Sequence, residues 1–150
     1  MTRIPRAALG LGLAGLLPFV WGAASQLSPA LAEIGLAVAG PRFVGPYVSL
    51  AYGTVILSFM SGVLWGFATK ATGSAAATGY ALSVLPALWA FFMVGGGPAA
   101  AAISLMAGFA GLLGLDALFW RWNLAPPWWM HLRGLLTAVV LACLAVPALL

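Results

Sequence analysis

The sequence is short of charge. Glu33 and Asp116 are its only acids; with six Lys and Arg, charged side chains make up 5% of 150 residues. An average soluble domain carries roughly 25%. A water-facing surface cannot be covered from this inventory, so a soluble globule is excluded. One cysteine, Cys143, excludes a disulfide framework. One histidine, His131, together with that cysteine cannot supply the ligands that zinc or haem requires, so no metal and no cofactor is expected. A Ser–His–Asp set cannot be argued from one His and one membrane Asp. Gly95-Gly96-Gly97 is not followed by the Lys-Ser/Thr of a phosphate loop. The sequence therefore makes no case for an enzyme. It also lacks the basic patch that nucleic acid would require.

What is present is apolar. Hydrophobic residues make up 64% of the chain and the mean hydropathy is +1.11. This excludes a disordered chain and leaves an all-α integral membrane protein. A bilayer core of about 30 Å needs about 20 apolar residues as a helix. Five segments qualify, at residues 7–25, 44–67, 76–94, 98–120 and 131–150, and together they form a single membrane domain. The break between the third and fourth is Gly95-Gly96-Gly97-Pro98, since glycine is flexible and proline starts a helix but cannot continue one.

Charge gives an orientation. Arg3, Arg6, Lys70, Arg121 and Arg133 fall on one side of a five-span topology and only Arg42, with Glu33 nearby, on the other. The positive-inside rule puts the N-terminus inside and the C-terminus outside. Anchoring on that side accounts for the net charge of +4. Trp65, Trp120, Trp122, Trp128 and Trp129 cluster at inner span ends, where an indole that is part apolar and part polar prefers to sit. Ser28-Pro29 reads as an N-cap and first-turn proline, and Leu31, Ile34 and Val38 follow at helical spacing up to Gly40-Pro41. That segment is too short to span and is expected as a short outer interfacial helix. Pro126-Pro127 should stiffen the last inner loop. A rival reading of the N-terminus is a signal peptide ending at Ala30-Leu31-Ala32, although its apolar run is longer than a usual signal core.

In lipid, helices associate through close backbone approach and hydrogen bonds, not through apolar burial. Thr54, Ser58, Gly62 and Gly66 stand four apart on one face of span two. Span four carries Ser104, Gly108, Gly111 and Gly114 in overlapping small-residue pairs. Both stripes are expected to pack helices together, with spans two and four as a close central pair. Asp116 is the only acid inside a span. A charge at the bilayer centre costs roughly 2.5–3.5 kcal/mol, so Asp116 needs a partner, and Arg133 is the preferred one. A proton or cation site is the competing reading of Asp116.

Span two reads Tyr52-Gly53-Thr54-Val55-Ile56-Leu57-Ser58-Phe59-Met60-Ser61-Gly62-Val63-Leu64-Trp65-Gly66. Later come Ala81-Leu82-Ser83-Val84-Leu85-Pro86, Asp116, Pro127-Trp128-Trp129, Leu132-Arg133 and Leu136-Thr137. Over roughly residues 6–140 this resembles the uncharacterised membrane family named domain of unknown function 3429, the transmembrane protein 69-like proteins. The pattern departs at Ser61 and Leu64, where Gly and a polar or basic residue are expected. The resemblance implies a helical bundle in a bacterial or mitochondrial inner membrane and no established activity.

Three functions follow as expectations. The first is an accessory, scaffolding or assembly subunit of a larger respiratory or photosynthetic membrane complex, with the bilayer and other membrane subunits as partners. The second is a small transporter or channel using Asp116, supported by the Ser58/Thr54 face and the mid-membrane Pro86. The third, ranked lowest, is a lipid-directed enzyme relying on His131 and Asp116.

Overall fold

The structure, a computed structural model, describes residues 3–150. Among these all regular structure is helical: α1 (Arg6–Ala14), α2 (Leu17–Leu27), α3 (Pro29–Ala39), a 3-10 turn (Pro41–Phe43), α4 (Tyr47–Ala68), α5 (Gly73–Ser83), α6 (Leu85–Met93), α7 (Pro98–Arg121) and α8 (Trp129–Leu149). Five stretches are long and apolar enough to cross a membrane: Arg6–Leu27, Tyr47–Ala68, Gly73–Met93, Pro98–Arg121 and Trp129–Leu149. The protein is a multi-pass membrane protein, and its many outward Leu, Val, Ile and Phe side chains meet hydrocarbon.

Two spans are interrupted, and both breaks precede a proline. Pro18 is the second residue of α2, and Pro86 the second residue of α6. Proline has no N–H and its ring presses on the carbonyl four residues back. Gly15, Leu16 and Val84 nonetheless keep right-handed helical angles, so each span runs on as two joined halves. The break before α6 frees the Ala87 N–H, which donates to Ser61 Oγ on α4 at 2.8 Å. In hydrocarbon that hydroxyl does what water would do elsewhere.

The eleven-residue α3 begins where Ser28 Oγ accepts from Leu31 N–H at 3.4 Å. It folds against α2, with the Gly35 backbone close to Trp21 and Val44. Gly96, in the left-handed region at φ 77°, turns the chain between α6 and α7.

At the centre, α4 and α7 pack on each other. α2 and α8 lie on one side of this pair, and α5–α6 on the other. Phe19, Leu57, Leu64, Leu105, Phe109, Leu112, Phe119 and Leu144 are buried there, and the Phe19 ring meets Tyr52 and Phe109 edge-on. The contact uses a face of α4 other than the small-residue stripe. Gly53, Leu57, Ser61, Leu64 and Ala68 are buried, whereas Ser58, Gly62 and Gly66 are exposed and Thr54 half-buried. The two faces lie about a third of a turn apart at 3.6 residues per turn. The large side chains decide which face turns inward, because only they fill the space between helices.

On α7, Gly108 is buried, Ser104 is half-buried, and Gly111 and Gly114 are exposed. A Cβ at Gly108 would come within 2.7 Å of both Leu57 Cδ2 and Trp89 Cδ1. At Gly62, Gly66, Gly111 or Gly114 it would meet nothing within 4 Å among the described residues. Gly108→Val is therefore expected to destabilise the bundle by about 1–3 kcal/mol, the usual cost of overpacking. Gly114→Val should leave it nearly unchanged. Unfolding titrations with SDS, starting from a mild detergent, compare the two.

Candidate functional site

Lys70 follows α4, and its Nζ donates to the Leu124 carbonyl at 3.1 Å, so the α4–α5 turn and the α7–α8 loop share one end of the bundle. Arg121 closes α7 at this end. We call it the basic end.

Asp116 lies five residues before the end of α7, and Arg133 four residues into α8. At a 1.5 Å rise this sets them about 6–8 Å inside their helix ends. Consecutive spans joined by a short loop run antiparallel, which brings the two positions to one level. Arg133 Nε donates to Asp116 Oδ2 at 2.8 Å, with side-chain exposures of 7% and 0%. Trp129 Nε1 donates to Asp116 Oδ1 at 2.9 Å. Each carboxylate oxygen thus has a donor, one of them charged, and both donors come from the first two turns of α8.

The loop is held independently. Asn123 adopts φ 59°, and Trp120 Nε1 donates to the Pro127 carbonyl at 3.2 Å. Trp129 also packs edge-on against Phe67 of α4 at 5.1 Å. Trp129 was expected as an interfacial anchor beside Trp128; its indole turns inward and belongs to the charged cluster. Trp65, Trp120 and Trp122 are exposed and Trp128 is half-buried. The Trp65 ring packs at a tilt against Tyr80, their centroids 4.5 Å apart.

The remaining polar side chains of the spans mostly bond within the backbone. Thr54 Oγ1 donates to the Leu50 carbonyl and Ser58 Oγ to the Thr54 carbonyl, both at 2.9 Å. The Ser104 carbonyl accepts from Trp89 Nε1 at 2.7 Å, tying α6 to α7. His131 is exposed while Asp116 is fully buried, and Cys143 lies three turns further along α8. Among the described residues no three His, Cys, Asp or Glu side chains come together as a metal site. Sequence reasoning noted Thr137, one turn beyond Arg133, only as part of the family pattern and gave it no role. It is buried, and among the described residues its Oγ1 has no hydrogen-bond partner. A hydroxyl one helical turn from a membrane arginine was the available signal.

The carboxylate and guanidinium depend on each other. Removing one partner of a buried pair leaves an uncompensated charge and typically costs 3–5 kcal/mol. Asp116→Ala and Arg133→Ala should each lose about that much in SDS unfolding titrations. The double variant Asp116→Leu/Arg133→Met should recover most of the loss, because both charges leave together.

Comparison with known proteins places this arrangement in a family. The chain is 35% identical over 141 residues to Transmembrane protein 69 of Xenopus tropicalis, a match covering 90% of this chain and 51% of that protein. The chain thus spans about half the length of the curated relative it matches. No solved structure matches it. A family model described as Protein of unknown function (DUF3429) matches residues 4–149, which include every span and both members of the ion pair. The chain belongs to the DUF3429 family.

Proposed function

We propose that the chain is an accessory, scaffolding or assembly subunit that docks onto a larger membrane complex, respiratory or photosynthetic, in a bacterial or mitochondrial inner membrane. In this reading the N-terminus and the basic end face the cytoplasm or matrix, as the Lys and Arg asymmetry favours. α3 lies along the outer surface.

One observation carries the reading. The small-residue faces of α4 and α7 remain open. Ser58, Gly62 and Gly66 form a shallow outward groove on α4, bordered by exposed Phe59 and Trp65. Gly111 and Gly114 form a second such face on α7, beside exposed Ala107 and Ala110. Facing lipid, such surfaces forgo the close backbone contact that small residues permit, and a partner helix would restore it. Transport through Asp116 has less support, because both of its oxygens are engaged by α8.

The test is native-gel migration of the tagged protein from its own membrane in mild detergent, with mass spectrometry of the band. The reading predicts one large band with defined subunits. It also predicts that Gly62→Leu combined with Gly66→Leu releases the chain without lowering the stability of the isolated protein. Migration of the wild-type protein alone, as a monomer or dimer, contradicts it.

A further inference from the structure

A second feature of the bundle is independent of its outward faces. Between α1–α2, α4, α7 and α8 lies a cavity of about 300 Å³. Its deep wall holds Phe19, Phe109 and Val140, all buried. Its rim holds Leu11 and Phe59, 76% and 63% exposed, so it opens sideways toward hydrocarbon. α1 packs principally on α8 and leaves a gap toward α4, bordered by the side-chain-free Gly12 and Gly15.

The lining is apolar except for Arg133, Thr137 and Tyr52. Arg133 has five N–H donors. Among the described residues it bonds only through Nε, to Asp116. Thr137 Oγ1 is likewise unpartnered, in a residue only 2% exposed. A buried hydroxyl without an acceptor at membrane depth costs free energy that water cannot relieve. An oxygen acceptor entering the cavity would satisfy both groups at once.

The charge of the site selects the kind of acceptor. Asp116 already balances Arg133, so a second anion would leave the buried cluster with net negative charge. An uncharged carbonyl accepts hydrogen bonds at no such cost. Tyr52 joins Phe19, Phe59 and Phe109 in an aromatic lining suited to a flat or apolar body. The cavity's side opening suits a ligand that arrives through the bilayer. We infer that this cavity binds a lipid-soluble, uncharged carbonyl compound, its oxygen held by the free guanidinium N–H groups of Arg133 and by Thr137 Oγ1. An isoprenoid quinone and the acyl ester of a membrane lipid both carry that chemistry.

Calorimetric titration of the full chain in mild detergent tests this with three probes: decylubiquinone, monoolein and oleate. At least one uncharged probe should bind saturably at one per chain and more tightly than oleate. Decylubiquinone alone would identify a quinone site, and monoolein alone an acyl-ester site. Thr137→Val should weaken binding at least tenfold while raising the melting temperature of the ligand-free protein, because it removes an unpartnered buried hydroxyl. Thr137→Ser should retain binding. Ile56→Trp, which fills the cavity from α4, should abolish it. Failure of both uncharged probes overturns the inference. So does oleate binding as tightly as the better of them, or binding that neither Thr137→Val nor Ile56→Trp changes.

Discussion

An ionised carboxylate and a guanidinium share the interior of a bundle whose other polar groups are few. Each would be costly alone in hydrocarbon. Together, with Trp129 bonded to the second carboxylate oxygen, Asp116 and Arg133 become tolerable there. That mutual dependence fixes how α7 and α8 meet at the basic end. The loop between them then has little freedom, and Trp120 and Lys70 bond to its carbonyls. The pair is also asymmetric. Arg133 meets Asp116 through Nε alone, not through the parallel two-bond fork that arginine can form with a carboxylate. Arg133 also lines the cavity, beside Thr137. The same interaction thus locks two helices and leaves unspent hydrogen-bonding capacity inside the membrane.

Elsewhere in the bundle, two serine hydroxyls meet backbone N–H groups of neighbouring segments. Pro86 interrupts a span, and Ser61 takes the released Ala87 N–H. Where α2 approaches the start of α4, Ser25 Oγ accepts from Gly45 N–H at 2.9 Å. Backbone contact there is close enough that a Cβ on Gly45 would fall 2.0 Å from the Gly22 carbonyl oxygen. Glycines of this kind build the fold. A Cβ on Gly62, Gly66, Gly111 or Gly114 would meet nothing within 4 Å among the described residues, so close packing inside the bundle does not require glycine there.

The spans were legible because hydrocarbon thickness sets helix length, and 64% apolar composition leaves few other solutions. Gly95-Gly96-Gly97-Pro98 marked a turn for the same local reasons that the structure displays. The inward face of α4 was not legible. A stripe of small residues signals that something can approach closely, without saying whether it belongs to the same chain. The choice rested on where Leu57, Met60 and Leu64 found space, which is a property of the assembled bundle. Pro18 passed unnoticed as a break because the apolar run around it is continuous. Trp129 read as an anchor because indoles at span ends usually are; its inward turn depends on a carboxylate thirteen positions earlier. The cavity had no sequence signature, since α1, α2, α4, α7 and α8 all contribute to it.

Asp116 holds Arg133 and Trp129 inside the bundle. Hydrogen–deuterium exchange of side-chain N–H groups, followed by NMR on the ¹⁵N-labelled protein in micelles, tests it most directly. The Arg133 Nε–H and Trp129 Nε1–H should persist long after the exposed Trp122 indole has exchanged, and both should lose protection together in Asp116→Asn. Exchange of all three at similar rates in the unaltered protein would show that Asp116 does not hold them.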